Sequence, residues 1–301
     1  MSVSKNKSKA DESHLTSFYK TPKELIHTRL SFQLIPKIRE NVTKIYANNK
    51  SIADECDINR ILSDDWSVQR FADYYHNDVE EATQHLIATL KWRKSFGVNK
   101  RSLDKDIGKE FFTIGALFVY EEDKNGIPLL ILRGKCNRKV TELRELIEMF
   151  IIGTIEQLDT RVGKTGFILV LDCSDCGLNN LSMDLMKFII TSLTVYYPLG
   201  IQYILVYNMP WLMRGIWKLI KVWLGEYRHF VHFANGDEIT KYVDIESLPK
   251  YMGGKCSKLF TEAPDNCPTV YDLAEKYGFT QTEVRKYMKI YDDLLEEAKH
   301  Y

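Results

Sequence analysis

Three groups of residues have the type and spacing to do chemistry. Cys173 and Cys176 form a C-x-x-C at the end of an apolar run, Gly163-Lys164-Thr165 carries the last three letters of a phosphate loop, and seven histidines are scattered along the chain. Each fails a test of spacing. A phosphate loop needs a glycine five residues before its second glycine, and Leu158 stands there; it must also open a helix, whereas here a helical pattern precedes and an apolar strand pattern follows. A zinc site needs a second close pair, but Cys256 and Cys267 are far apart and Cys56 and Cys136 are isolated. A dithiol of the redox type needs a helix starting at its first cysteine, and Asp175 with Gly177-Leu178-Asn179-Asn180 reads as turn. No cysteine is followed by the arginine of a phosphatase, no histidine pair has zinc-protease spacing, and no G-x-S-x-G elbow occurs. The sequence therefore predicts neither an enzyme nor a metal or other cofactor.

The informative stretch is WLMRGIWKLIKVWL, residues 211–224. On a helix Arg214, Lys218 and Lys221 make a narrow cationic stripe, and Ile216, Trp217, Leu219, Ile220, Trp223 and Leu224 make a broad apolar arc opposite. Three tryptophans and three cations without an acid suit a membrane interface, where ammonium groups meet phosphates and indoles sit at headgroup depth. An ordinary core-facing helix with a solvated edge would read the same way, and the residues alone leave both open.

The elements that must position this stretch follow from periodicity. Residues 1–20 read as a disordered basic arm, and the first fifty residues hold ten Lys and Arg against four Asp and Glu. A helical module is expected over 21–110. Its parts are an amphipathic helix from Glu24 to Tyr46 with a possible break at Pro36, a helix capped by Ser63, and one started by Asn77-Asp78 and ended by Gly97. From residue 111 to 255 strands and helices alternate after a hairpin turned by Asn125-Gly126. GFILVLD and IQYILVY read as strands buried on both faces, so a mixed, mainly parallel α/β sheet flanked by helices is expected. A helical extension fills 256–301, and its residues Val284, Tyr287, Met288, Tyr291, Leu294 and Leu295 form an apolar face that could dock a protein partner or pack back on its own domain.

Composition narrows the function classes. Lys plus Arg and Asp plus Glu each number 41, so the net charge is zero and a general nucleic-acid binder is excluded. The first thirty residues lack a signal-peptide core and no apolar run is long enough to span a bilayer, so the expected compartment is the cytosol, with transient membrane association.

The order of these motifs resembles the Sec14-like, or CRAL-TRIO, lipid-binding family over roughly residues 60–255. The resemblance is carried by 64–98 with Arg70-Phe71, Asp78-Val79 and Lys91-Trp92-Arg93-Lys94, by DKNGIPLLILR, by VLDCSDCGLN, and most specifically by VYYPLGIQYILVYNMPWLMRGIWKLIKVWL followed by DIESLPKYMGG. It implies a sheet floor and helices around one apolar cavity for a single lipid, acyl or isoprenoid, with residues 211–224 as a mobile gate. By family position Trp217 and Ile220 would line the cavity, with Tyr197, and pocket-facing parity would add Phe118, Tyr120, Leu130, Leu132, Phe167, Leu169 and Leu171. Trp211, Arg214, Lys218, Lys221 and Trp223 would dock on an anionic membrane. Members that bind phosphatidylinositol use an Arg, a Glu and a Lys at positions matching Tyr75, Leu199 and Val231 here, and the Ser/Thr pair used for phosphatidylcholine matches Phe167 and Leu169. The resemblance with these departures implies an apolar ligand or a different headgroup geometry. A lipid-sensing adaptor or tether-like protein working through its terminal helices is the alternative.

Overall fold

The computed structural model describes residues 29–301. The basic arm and the start of the first helix, with Leu25 and Ile26, lie outside the described residues.

Among the described residues four helices come first: α1 (Arg29–Asn48), α2 (Glu55–Ser63), α3 (Trp66–Tyr74) and α4 (Val79–Phe96). Pro36 does not break α1. It removes one backbone hydrogen bond, while Ile35, Ile38 and Val42 on either side are buried against Val68, Phe71, Leu86 and Leu90, which holds the helix in place. Ser63 is not a cap but the last residue of α2. The carboxylate of Asp64 does the capping, accepting the backbone N–H of Trp66 and Ser67. Asp78 caps α4 through the N–H groups of Glu80 and Glu81, and Gly97 ends it at a φ of 79° that a side chain would resist.

Short helices α5 (Leu103–Asp106) and α6 (Lys109–Thr113) lead into the sheet. The sheet has five strands in sequence order, β1 (Leu117–Glu122), β2 (Pro128–Arg133), β3 (Phe167–Asp172), β4 (Ile201–Tyr207) and β5 (Val231–Ala234). The first pair is antiparallel and the other three are parallel. The parallel connections are α7 (Arg144–Val162), α8 (Met183–Thr191) with a π turn at Ser192–Tyr196, and α9 (Arg214–Leu224), followed by a 3₁₀ turn at Gly225–Phe230.

Alternation along the strands divides the core in two. One face carries Leu129, Ile131, Ile168, Val170, Tyr203 and Leu205, covered by the 236–260 segment through Ile239, Val243, Leu248 and Met252. The other carries Leu130, Phe167, Leu169, Ile204 and Val206, covered by α7, α8 and α9. The chain ends in α10 (Gln281–Met288) and α11 (Asp292–Ala298). Their face of Val284, Tyr287, Met288, Tyr291 and Leu294 is buried in this second cluster, so of the two readings of this face the structure shows packing back on the chain's own domain. Arg133 pins the end of the chain. Its guanidinium lies among the rings of Tyr251, Phe260 and Tyr301, 4.7–5.6 Å from their centres, and donates to Glu297 at 2.9 Å and Tyr301 at 2.6 Å.

An apolar cavity and its closing helix

Between the sheet and the α7, α8 and α9 layer lies a cavity of about 210 Å³. It is larger than the ~150 Å³ engineered apolar void that stays dry and takes up benzene. The strands contribute Leu132, Leu169, Leu171, Ile204 and Val206 to its wall, and α7 contributes Ile147, Phe150 and Ile151. From α8 come Leu185, Met186, Ile189 and Ile190, and from α9 Ile216, Trp217, Ile220 and Leu224. Polar groups gather at one margin, where Asn137, Arg138, Asn180, Ser182 and Tyr291 complete the wall.

Five residues expected at the wall lie elsewhere. Phe118 and Tyr120 are on the opposite face of the sheet, where Phe118 stacks on Phe260 and the Tyr120 hydroxyl donates to the Lys258 carbonyl. The register explains why. Leu117 pairs with Leu132 and Val119 with Leu130, and residues paired across a ladder share a face, so inward-facing Leu130 and Leu132 force Phe118 and Tyr120 outward. The sequence-based parity gave β1 the wrong phase because the loop to β2 leaves the pairing free by one residue. Leu130 and Phe167 have the expected parity but belong to the solid part of the core. Tyr197 is drawn away by its hydroxyl, which donates to Glu156 at 2.6 Å; in an apolar cavity that O–H would go unpaired.

The closing helix α9 has two unlike sides. Ile216, Trp217, Ile220 and Leu224 face the cavity, and Trp217 also meets Phe233 edge-on at 5.2 Å. On the outer side Lys218 and Lys221 are exposed, the Lys221 ammonium lying 5.7 Å over the Trp217 ring. Leu219 is 57% and Val222 76% exposed, beside Trp211 at 78%. Leu219, assigned by its helical position to the inner arc, is therefore on the outside, and Trp223 is half-buried against the core instead of standing free. The Arg214 side chain lies outside the described residues. Exposed hydrophobic residues and lysines thus lie side by side on the outer face of this helix.

The seam between the helical layer and the sheet domain is polar. Arg93 of α4 donates to Asp57 at 2.8 Å and reaches both oxygens of Glu156 on α7 at 2.7 and 2.8 Å, while Arg60 adds a contact to Glu156 at 3.1 Å. Arg70 of α3 grips Asp159 at 2.7 and 2.9 Å and donates to the Pro198 carbonyl at 2.7 Å. Burial opposes the Glu156 charge, but hydrogen bonds and charge from Arg93 overcome it and hold the carboxyl down at about 2. Sequence reasoning picked out Arg70 and Arg93 only as matching letters; their acidic partners lie far along the chain, and no local pattern links them.

Cys173 and Cys176 are both free, and Cys176 is held far above the usual thiol range by its hydrogen bond with Cys173 and by burial. His232 packs edge-on against Tyr203 and beside Tyr242 on the side of the sheet away from the cavity, and burial lowers its pKa. Among the described residues no group of three or more His, Cys, Asp or Glu could hold a metal, and no helix is long and apolar enough to cross a membrane.

A mixed five-stranded sheet covered on both faces, with helices over an apolar cavity on one of them, defines a cavity-bearing α/β domain. Residues 113–254 match the model of the CRAL/TRIO domain. It is 26% identical over 237 residues to CRAL-TRIO domain-containing protein C3H8.02 of Schizosaccharomyces pombe, covering 74% of this chain and 51% of that protein. It is 22% identical over 192 residues to phosphatidylinositol transfer protein CSR1 of Eremothecium gossypii, covering 59% of this chain and 44% of that one. The chain thus spans about half the length of these relatives or less. Among solved structures, the crystal structure of Sfh5 superposes with a TM-score of 0.61 at 15% identity, over 83% of this chain and 97% of that one, a likeness of fold.

Proposed function

We propose that this protein is a cytosolic, non-enzymatic carrier that encloses one hydrophobic lipid in the cavity and exchanges it at membrane surfaces through α9. The observation that carries this reading is the two-sided helix. Its inner side forms one wall of an apolar cavity, and its outer side presents Leu219, Val222 and Trp211 beside Lys218 and Lys221. Transfer of apolar ligand surface from water into such a cavity supplies about 25 cal/mol per Å². At a membrane, the exposed apolar side chains enter the headgroup layer and the lysines meet anionic phosphates. If α9 then swings out, its inner residues exchange the ligand for acyl chains at little cost, so contact with the membrane favours the open state.

One relative is named as a phosphatidylinositol transfer protein, which supports lipid transfer as the activity. For this chain we favour a smaller or more apolar ligand than phosphatidylinositol. The positions matching that lipid's Arg, Glu and Lys contacts are Tyr75, stacked on His85, Leu199, whose N–H donates to Tyr227, and Val231, and none belongs to the cavity wall. An inositol phosphate buried among the aliphatic side chains would lack partners. The stretches MPWLM, VWLG and LPKYMGG resemble the CRAL-TRIO part of motile sperm domain-containing protein 2, and we extend the kinship no further than this domain.

Flotation with vesicles containing phosphatidylserine tests the docking step. Lys218→Glu with Lys221→Glu should reduce binding at least tenfold, since each basic residue contributes about 1 kcal/mol at an anionic surface. Unchanged flotation of the double variant would remove α9 from the docking surface. A lipid-sensing adaptor, the second reading, would bind lipid without net delivery of a labelled lipid between vesicles. It has lost its main support, because the terminal apolar face is buried.

A further inference from the structure

The polar margin of the cavity contains a hydroxyl with nothing to bond. Tyr291, on the turn between α10 and α11, forms part of the cavity wall and is 6% exposed, and its hydroxyl is buried without a hydrogen-bond partner. A buried unpaired hydroxyl costs on the order of 1–3 kcal/mol, so a position of this kind points to a partner that arrives from outside. Burial raises the phenol to about 12, although the positive charge of Arg138 pulls it down. The group is therefore a proton donor at any physiological pH, with a cation nearby. Arg138 belongs to the same wall; it donates to the Lys135 carbonyl and, outward, to Asp293 at 2.7 Å, an acid that is itself 67% exposed, so water screens that pair more than it screens the cavity side. Asn137 and Asn180 are spent on local backbone carbonyls.

We infer that Tyr291 and Arg138 form the head-group end of the ligand site, and that the lipid carries a compact anionic oxygen head on an apolar chain. Fatty carboxylates and single-chain lipid phosphates belong to this class. The proposal rests on the lipid-binding reading above and adds a polarity to it: the chain lies against Leu169, Ile189 and Ile220, and the head points to the C-terminal segment. That segment becomes part of the binding site instead of an appendage. Its position is fixed by the Arg133 and Lys135 contacts to Glu297, which hold α11 against the sheet edge.

Two fluorescent probes with the same tail separate head from chain: pyrene-labelled decanoate and pyrene-labelled decane, titrated into the full chain. The carboxylate probe should bind about tenfold more tightly than the hydrocarbon. Tyr291→Phe, which keeps the ring and removes only the oxygen, should abolish most of that preference and leave the hydrocarbon affinity unchanged. The thermal midpoint of unloaded Tyr291→Phe should equal or exceed that of the parent, because no internal hydrogen bond is lost. Competition by palmitate against palmitoyl lysophosphatidate then tells which anionic head is preferred. Equal affinity of the parent for both probes, or a preference that survives in Tyr291→Phe, would overturn the head-group assignment while leaving lipid binding intact. Failure of the parent to bind either probe would overturn both.

Discussion

The seam between the helical layer and the sheet domain and the contact between α9 and the cavity are held by opposite kinds of force. At the seam, six charged side chains and a phenol are matched by direction as well as by sign, with Arg93, Arg70, Glu156 and Asp159 paired twice over. Under α9 the contacts are aliphatic and aromatic, and they look much alike whether the partner is a sheet, a ligand or an acyl chain. Directional contacts single out one arrangement because any other leaves buried charge unpaired. Non-directional ones permit exchange, because apolar surface is satisfied by any apolar neighbour. Under the function proposed above, the difference would place rigidity on one side of the domain and mobility on the other.

The seam gives the strongest test of this contrast. Arg93→Ala strips partners from both Asp57 and Glu156 and should cost about 3–5 kcal/mol in urea unfolding. A loss below about 1 kcal/mol would mean that the network adds nothing to what apolar packing already holds. Acid probes the same network more gently. Glu156 titrates at about 2 in the folded chain against an ordinary value near 4.5. Its stabilisation is therefore complete above about pH 4.5 and is lost as pH falls toward 2, a change of about 3 kcal/mol. Unfolding measured across that window should show the decline in the parent and a flatter curve in Glu156→Gln, and identical curves would remove Glu156 as the source. The smallest effect belongs to α9. Gly215 sits inside the helix where an added Cβ meets nothing within 4 Å. Gly215→Ala should therefore raise the thermal stability slightly, by up to about 1 kcal/mol, through helix propensity alone. If the same change slows release of a bound probe, opening involves loosening of this end of α9; a lowered midpoint would instead reveal a clash or a required glycine.

Much of the scaffold was legible before any coordinates. GFILVLD and IQYILVY announce strands covered on both faces, and β3 and β4 are such strands. Asp78 and Gly97 bound α4 as their side-chain chemistry requires. The amphipathic character of residues 211–224 was visible too, yet which of its apolar residues turn inward was not. Leu219 and Ile220 are neighbours with equal hydrophobicity, and only the angle at which α9 crosses the sheet exposes one and buries the other. Similarly, the alternation in β1 was plain but its phase was not, because phase depends on the register with β2.

The sequence by itself determined which segments would be helix, strand or turn, since those follow from periodicity, caps and glycines acting over a few residues. It also determined that no compact catalytic or metal-binding motif is present. Only the tertiary structure decided that Tyr197 serves the seam and not the cavity, that Arg93 meets Glu156 across 63 residues of chain, and that the C-terminal helices bring Tyr291 to the cavity wall. These are pairings between distant segments, and each is chosen by whether a buried polar atom finds its complement, which no local pattern records.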